Sequence, residues 1–213
     1  MRNAKNPLIR TFGRIHGKKL SIRQQWLVDY VLPALLPTAN ETAGAILEIG
    51  FGNGEYLIKL AEQNPNKIII GAEPFINGIA QLLAKIADEK NQILPQYKNI
   101  RIWPDDVRKF LDANSQFAQI YILHPDPWPK ARHEKRRLLS AEFLKMLSAF
   151  ISKDQNIIIG TDHTDYYNWI LEQVAHAGLN IKSCAHTIIK TKYQEKNMFG
   201  SPRTQYLEVT PKP

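Results

Sequence analysis

The chain has 213 residues, 44% hydrophobic and 23% charged, a balance that suits one globular domain with a sizeable core. It holds no apolar run long enough to cross a bilayer and no signal-peptide core near its start, so a cytoplasmic protein without membrane attachment is expected. A single cysteine, Cys184, excludes an internal disulfide and a cysteine-rich zinc site. The net charge of +8 predicts an anionic partner, because Lys and Arg beside phosphates gain affinity by releasing condensed counterions.

That charge is clustered. Arg10, Arg14, Lys18, Lys19 and Arg23 form one basic zone, and Lys130, Arg132, Lys135, Arg136 and Arg137 a second, opposed there only by Glu134. Neither zone carries the apolar face of a membrane-surface helix, so nucleic acid is favoured over lipid. Residues 1–20 read as a basic, flexible arm and 21–213 as one domain, with no internal repeat or linker.

Ser21 can cap a helix through Leu32, with Trp26, Leu27, Tyr30 and Val31 at helical spacing and Pro33 and Pro37 ending it. Ala45–Ile49 reads as a buried strand, then Gly50 to Gly54 as a turn opening a helix with Leu57, Leu60 and Ala61 inward. Lys67–Ala72 is a second strand, and Ile76, Ile79, Ala80, Leu83 and Ile86 give a helical stripe. Asn99–Trp103 and Gln119–Leu123 are the third and fourth strands, the latter entering a Pro-rich loop from His124 to Pro129. Ala141–Ile151 is helical, Asn156–Gly160 is the fifth strand, and Tyr167, Ile170, Leu171, Val174 and Ala177 mark a further helix closed by Gly178. Asn180–Ala185, which holds Cys184 as a small buried hydrophobe, and Thr204–Val209 complete seven strands and should pair antiparallel. Alternating strands and helices predict an α/β, Rossmann-like domain: a mostly parallel seven-stranded sheet, helices on both faces, and an antiparallel last strand.

Chemistry enters at Glu48-Ile49-Gly50-Phe51-Gly52-Asn53-Gly54, directly after a strand and opening a helix. Glycines there let the backbone turn tightly and approach a ligand that any Cβ would block. Glu73, at the end of the second strand, is placed to accept hydrogen bonds from both ribose hydroxyls of a nucleoside. A dinucleotide turn usually reads G-x-G-x-x-G and cradles a pyrophosphate. Here the spacing is G-x-G-x-G with an acid two residues ahead, which suits a cationic cofactor: S-adenosylmethionine carries a sulfonium and an ammonium and no phosphate. NAD(P) is the alternative. The turn resembles the E-x-G-x-G-x-G motif of class I methyltransferases. Of the adjacent acids Asp105 and Asp106 after the third strand, one can receive the adenine amine and the other cap the helix at Val107–Leu111; Asp105 is assigned the adenine.

The stretch from His124 through Arg137 is the most specific signal. Prolines 125, 127 and 129 hold Asp126 and Trp128 in a stiff loop that runs straight into the second basic zone. A fixed carboxylate, an aromatic ring and a cluster of cations fit a nucleobase pocket beside a phosphate track. Trp128 suits either a base platform or a packing anchor. His124, His133 and His163 lack zinc-ligand spacing, so no metal is expected.

The run Asp126-Pro127-Trp128-Pro129-Lys130, with Arg132-His133 and Lys135-Arg136-Arg137, closely resembles the tRNA (guanine-N7-)-methyltransferase family. Phe12-Gly13-Arg14 leading to Arg23-Gln24-Gln25, Thr161-Asp162, and Thr191-Lys192-Tyr193 agree with it, so the resemblance spans about Phe12 to Val209. It implies methylation of guanine N7 in the tRNA variable loop, with S-adenosylmethionine at Glu48, Gly50, Gly52, Gly54, Glu73, Asp105 and Asp126. It implies RNA or guanine contacts at Lys130, Asp162, Thr191, Lys192, Tyr193 and Gln194. The family pattern has Glu where this chain has Gln194, with Glu195 next, and an apolar residue is more usual at His124. Asp126 is the expected catalytic residue, and the chain is expected to act as a monomer or homodimer. The alternatives are methylation of an exocyclic amine, whose enzymes carry an Asp/Asn-Pro-Pro-aromatic motif at this place, and a non-catalytic RNA-binding protein on the same fold.

Overall fold

The computed structural model describes residues 11–13, 15, 17–182 and 204–212. Its strands are β1 (Ala45–Ile49), β2 (Ile69–Ala72), β3 (Ile100–Trp103), β4 (Phe117–Leu123), β5 (Ile151–Thr161), β6 (Asn180–Lys182) and β7 (Gln205–Thr210). The α-helices are α1 (Ile22–Trp26), α2 (Glu55–Gln63), α3 (Ile76–Ile86), α4 (Ala141–Ser148) and α5 (Thr164–His176). One sheet forms in the order β3-β2-β1-β4-β5-β7-β6. The first five strands pair in parallel, and β7 runs antiparallel between β5 and β6, as the missing helix between the last strands predicts. The structure is the Rossmann-like class I methyltransferase architecture. Among the described residues no helix is long and apolar enough to cross a membrane.

Every β1 residue is buried, because helices cover both faces of the sheet. Leu47 and Ile49 face a core shared with α4 and α5, while Ile46 faces a second core shared with α2 and α3. From β1 the chain winds outward to β2 and β3, then returns to β4 on the other side. That reversal leaves a crevice at the carboxyl ends of β1 and β4, where ligands bind in open α/β sheets.

Two elements depart from the expected limits. The single helix from Ser21 to Leu32 is instead α1, a wide π turn (Leu27–Val31) and a 3-10 turn (Leu32–Leu35). Ser21 does cap it, in a reciprocal box with Gln24. The wide turn lets Leu27 and Leu32, five residues apart, both point inward. The helix expected to reach Ile151 ends at Ser148, and β5 begins at Ile151, ahead of the expected Asn156. Ile151 pairs with Phe117 across a register shift, and the polar residues 152–155 between them hide the strand's alternation.

Candidate functional site

The glycine turn after β1 is held in the left-handed region at Gly50, Gly52 and Gly54 (φ 76°, 56° and 76°), which explains the residue type at all three. Glu73 ties this turn to the end of β2: its carboxylate accepts the Gly52 N–H through Oε2 and the Phe75 N–H through Oε1, each at 2.8 Å. The first turn of α3 closes against it so tightly that a methyl group on Gly78 would stand 2.2 Å from the Gly52 carbonyl oxygen. The turn is therefore braced by β2 and α3.

Glu48, Glu73, Asp105 and Asp106 gather here, and among the described residues only the last two pair with a cation. Glu48 is buried, its Oε2 has no hydrogen-bond partner, and burial together with Glu73 pushes its carboxyl up to about 8. Glu48 shares the face of Ile46, toward Tyr56 and Tyr121, whereas its neighbour Ile49 lines the cavity. Glu73 is also raised by burial and by Asp126, against the pull of its two backbone hydrogen bonds. Of the paired acids after β3, Asp106 takes the capping role, accepting the Arg108 N–H at 3.0 Å. Burial works to raise its carboxyl, but hydrogen bonds from the Arg108 guanidinium and the Thr11 hydroxyl outweigh this and hold it low. Asp105 is more exposed and pairs with Lys109 at 2.8 Å.

Across the crevice, the loop after β4 is strained at both ends: His124 and Trp128 adopt left-handed backbone (φ 51° and 44°), costly for side chains of this size. The His124 N–H donates to the Gly160 carbonyl at 2.7 Å, and its Nδ1 lies 3.7 Å from the Asp162 carboxylate. Burial lowers the imidazole pKa against the upward pull of Asp162.

Arg137 anchors this loop from inside. Its Nε donates to the Pro127 carbonyl at 2.9 Å, and its guanidinium lies over the rings of Trp169 and Tyr166, at 5.0 and 5.4 Å. It is 8% exposed and meets the cavity from within its wall. Arg136, one residue earlier, lies over Trp128 at 5.0 Å and Phe12 at 5.9 Å, and its Nε has no hydrogen-bond partner. The second basic zone is thus divided: Lys130, Arg132 and Lys135 are exposed, Arg136 is half-buried at the cavity, and Arg137 is buried in its wall. In the first zone Arg23 is exposed but tethered, donating to the carbonyls of Ala87 and Asp88 and to the Asn91 side chain.

These groups enclose a cavity of about 570 Å³ whose wall includes Gly50, Glu73, Asp105, Asp126, Trp128 and Arg136. Glu48, Gly52 and Gly54 stand behind that wall, and Lys130 and Asp162 lie outside it. Thr191, Lys192, Tyr193 and Gln194, with Glu195 and Cys184, fall outside the described residues. Sequence reasoning missed Thr11, Phe12, Phe143 and Trp169 as wall residues. Trp169 lies in α5, which the sequence marks only by the stripe Tyr167, Ile170, Leu171, Val174 and Ala177. His163 is a helix cap, accepting the Tyr166 N–H at 3.2 Å, and no metal-holding cluster occurs among the described residues.

A family model described as "Putative methyltransferase" matches residues 42–204. The tRNA (guanine-N(7)-)-methyltransferase of Caulobacter vibrioides (strain NA1000 / CB15N) is 33% identical over 221 residues, covering 95% of this chain and 95% of that protein. That of Sphingopyxis alaskensis is 40% identical over 171 residues, covering 75% of this chain and 72% of its own. Among solved structures, the 16S rRNA methyltransferase KamB superposes with a TM-score of 0.59 at 16% identity, covering 82% of this chain and 91% of that one, a likeness of fold.

Proposed function

The chain belongs to the tRNA (guanine-N7-)-methyltransferase family, and we propose that it methylates N7 of a guanine in the variable loop of tRNA, using S-adenosylmethionine. One observation carries the reading: a single cavity has the buried carboxylate of Glu73 on one side, with no counter-cation among the described residues, and Arg136 held over aromatic rings on the other.

The residues fit that cofactor. Glu73 presents a carboxylate to the cavity whose oxygens, each already holding one backbone N–H, retain lone pairs for ribose hydroxyls. Asp105 stands at the end of β3 to receive an adenine amine. Glu73 presents an acid at the cavity wall to the cationic groups of the ligand, with Glu48 buried behind it. S-adenosylmethionine supplies, when bound, an electrophilic methyl group on its sulfonium.

Guanine N7 carries a lone pair and no proton, so the chain needs no general base at the acceptor. Its contribution is alignment, with the stiff loop around Asp126 and Trp128 holding base and cofactor in line. Asp126 then stabilises the positive charge that grows on the purine. The deciding experiment incubates the purified chain with S-adenosylmethionine and an unmodified tRNA transcript, followed by nucleoside mass spectrometry. 7-Methylguanosine is expected. An N2-methylated base would move the activity to the exocyclic-amine class, and no methylated nucleoside would overturn the proposal.

A further inference from the structure

Six of the seven large hydrophobic side chains exposed among the described residues lie between positions 12 and 36, the exception being Ile181. Three of them, Ile22, Trp26 and Tyr30, are 92%, 42% and 68% exposed and follow one another at four-residue intervals. The rings of Trp26 and Tyr30 lie 5.2 Å apart, forming a paired aromatic surface. The inner seam of the same segment is already filled by Leu27, Leu32 and Leu35, all buried. This stripe is therefore surplus to the core, and exposed apolar surface of this kind marks a place of contact.

What meets it follows from the charge and the path of the chain. Between residues 11 and 36 the sequence has Arg14, Lys18, Lys19 and Arg23 against one acid, Asp29, whose carboxylate accepts the Gln25 amide at 2.9 Å. Thr11 to Gly13 line the cavity. The Ile15 carbonyl then accepts the Ile76 N–H, and Asn77 receives the Gly17 N–H and donates to the Lys18 carbonyl, which lays the segment along α3. Arg23 reaches the far end of α3 at Ala87. Exposed lysines and the tilted Trp26–Tyr30 ring pair therefore lie on one track leading from the cavity mouth. A second copy of the chain is the poorer occupant: it brings the same positive charge, and three side chains fall far short of the ~800 Å² each partner of a stable pair buries.

We propose that Trp26 and Tyr30 form a stacking platform for an unpaired base of the RNA substrate, with Lys18 and Lys19 holding the adjoining phosphates. The proposal rests on the RNA-methylating function above. Stacking on aromatic side chains contributes per base without regard to sequence, whereas lysine–phosphate contacts carry the salt dependence. The two halves of the platform are therefore separable.

The test measures affinity for an unmodified tRNA transcript as a function of salt, together with methyl transfer at saturating cofactor. Trp26→Ala with Tyr30→Ala should weaken tRNA binding roughly 10- to 100-fold with an unchanged salt slope. Lys18→Ala with Lys19→Ala should lower the slope by about 1.5. Trp26→Phe with Tyr30→Phe keeps flat rings and should restore most of the affinity, which separates stacking from a folding defect. Unchanged tRNA affinity in the alanine pair, while the wild type methylates tRNA, overturns the platform and leaves the function standing. A change from dimer to monomer by light scattering, with tRNA affinity intact, assigns the stripe to a second copy and also overturns it. A wild-type chain that methylates no tRNA removes the function and the platform together.

Discussion

The two walls of the cavity solve opposite electrostatic problems. On the side of β1 to β3, Glu73 lines the cavity and Glu48 lies behind it, both buried and neither paired with a cation among the described residues. On the side of β4 and β5, arginines are held over aromatic rings, and one has a guanidinium nitrogen without an acceptor. Each wall is left incomplete in the sense its expected ligand would complete, a cation on one side and an electron-rich base with its phosphates on the other. Polar groups buried without partners cost free energy in the empty protein, so these are the places where ligand binding returns the most.

Changes that touch one wall should leave the other intact. The largest effect is expected from Asp126→Ala, which removes the carboxylate facing the reacting base. Turnover should fall by about 10²–10³, the usual loss for one stabilising group, with thermal stability nearly unchanged because Asp126 is exposed. Wild-type turnover in this variant would mean that alignment alone drives the reaction. Glu73→Ala should weaken cofactor binding by about 1.5–3 kcal/mol for each charged hydrogen bond lost, with tRNA affinity preserved. Calorimetry that finds equal cofactor affinity would remove Glu73 from the site.

Adjacent arginines sharpen the contrast next. Arg137→Ala should lower stability by roughly 1.5–3 kcal/mol, because a buried charged donor to the Pro127 carbonyl is lost. Arg136→Ala should leave the melting temperature in place and weaken tRNA binding. The reverse pattern in denaturation and binding curves would invert the assignment.

The smallest effect is a pH slope. The Glu48 carboxyl is raised from 4.5 to about 8 in the folded, empty protein. Its contribution to stability is therefore fully present below about 4.5 and lost as pH rises through about 8. A cationic cofactor favours the ionised form, so its affinity should rise with pH up to about 8, at most tenfold per unit, and level off above. Glu48→Gln should flatten the slope. A slope that survives the substitution would point to Glu73 instead.

Much of this was legible in the sequence because it is local. β1, the glycine turn and Glu73 follow from strand periodicity and from glycines that only a left-handed turn explains. The fates of Arg136 and Arg137 were not legible, because two adjacent arginines differ only in which rings the folded chain brings beside them, Trp128 and Phe12 for one, Tyr166 and Trp169 for the other. Arg23 belongs with them: its carbonyl partners at Ala87 and Asp88 lie more than sixty positions away. The start of β5 was hidden by the polar residues 152–155, which lie in the register shift between Ile151 and Asn156.

The contact between Gly78 and the Gly52 carbonyl bears on how this protein tolerates change. The added methyl would fall on a backbone oxygen, which cannot rotate aside as a side chain tip can, so even alanine forces α3 away from the turn. A saturation library at position 78 should return glycine alone among active clones, although the residue touches no reacting atom. Attempts to raise thermal tolerance by replacing helical glycines with alanine, usually a safe gain, should therefore leave this one untouched.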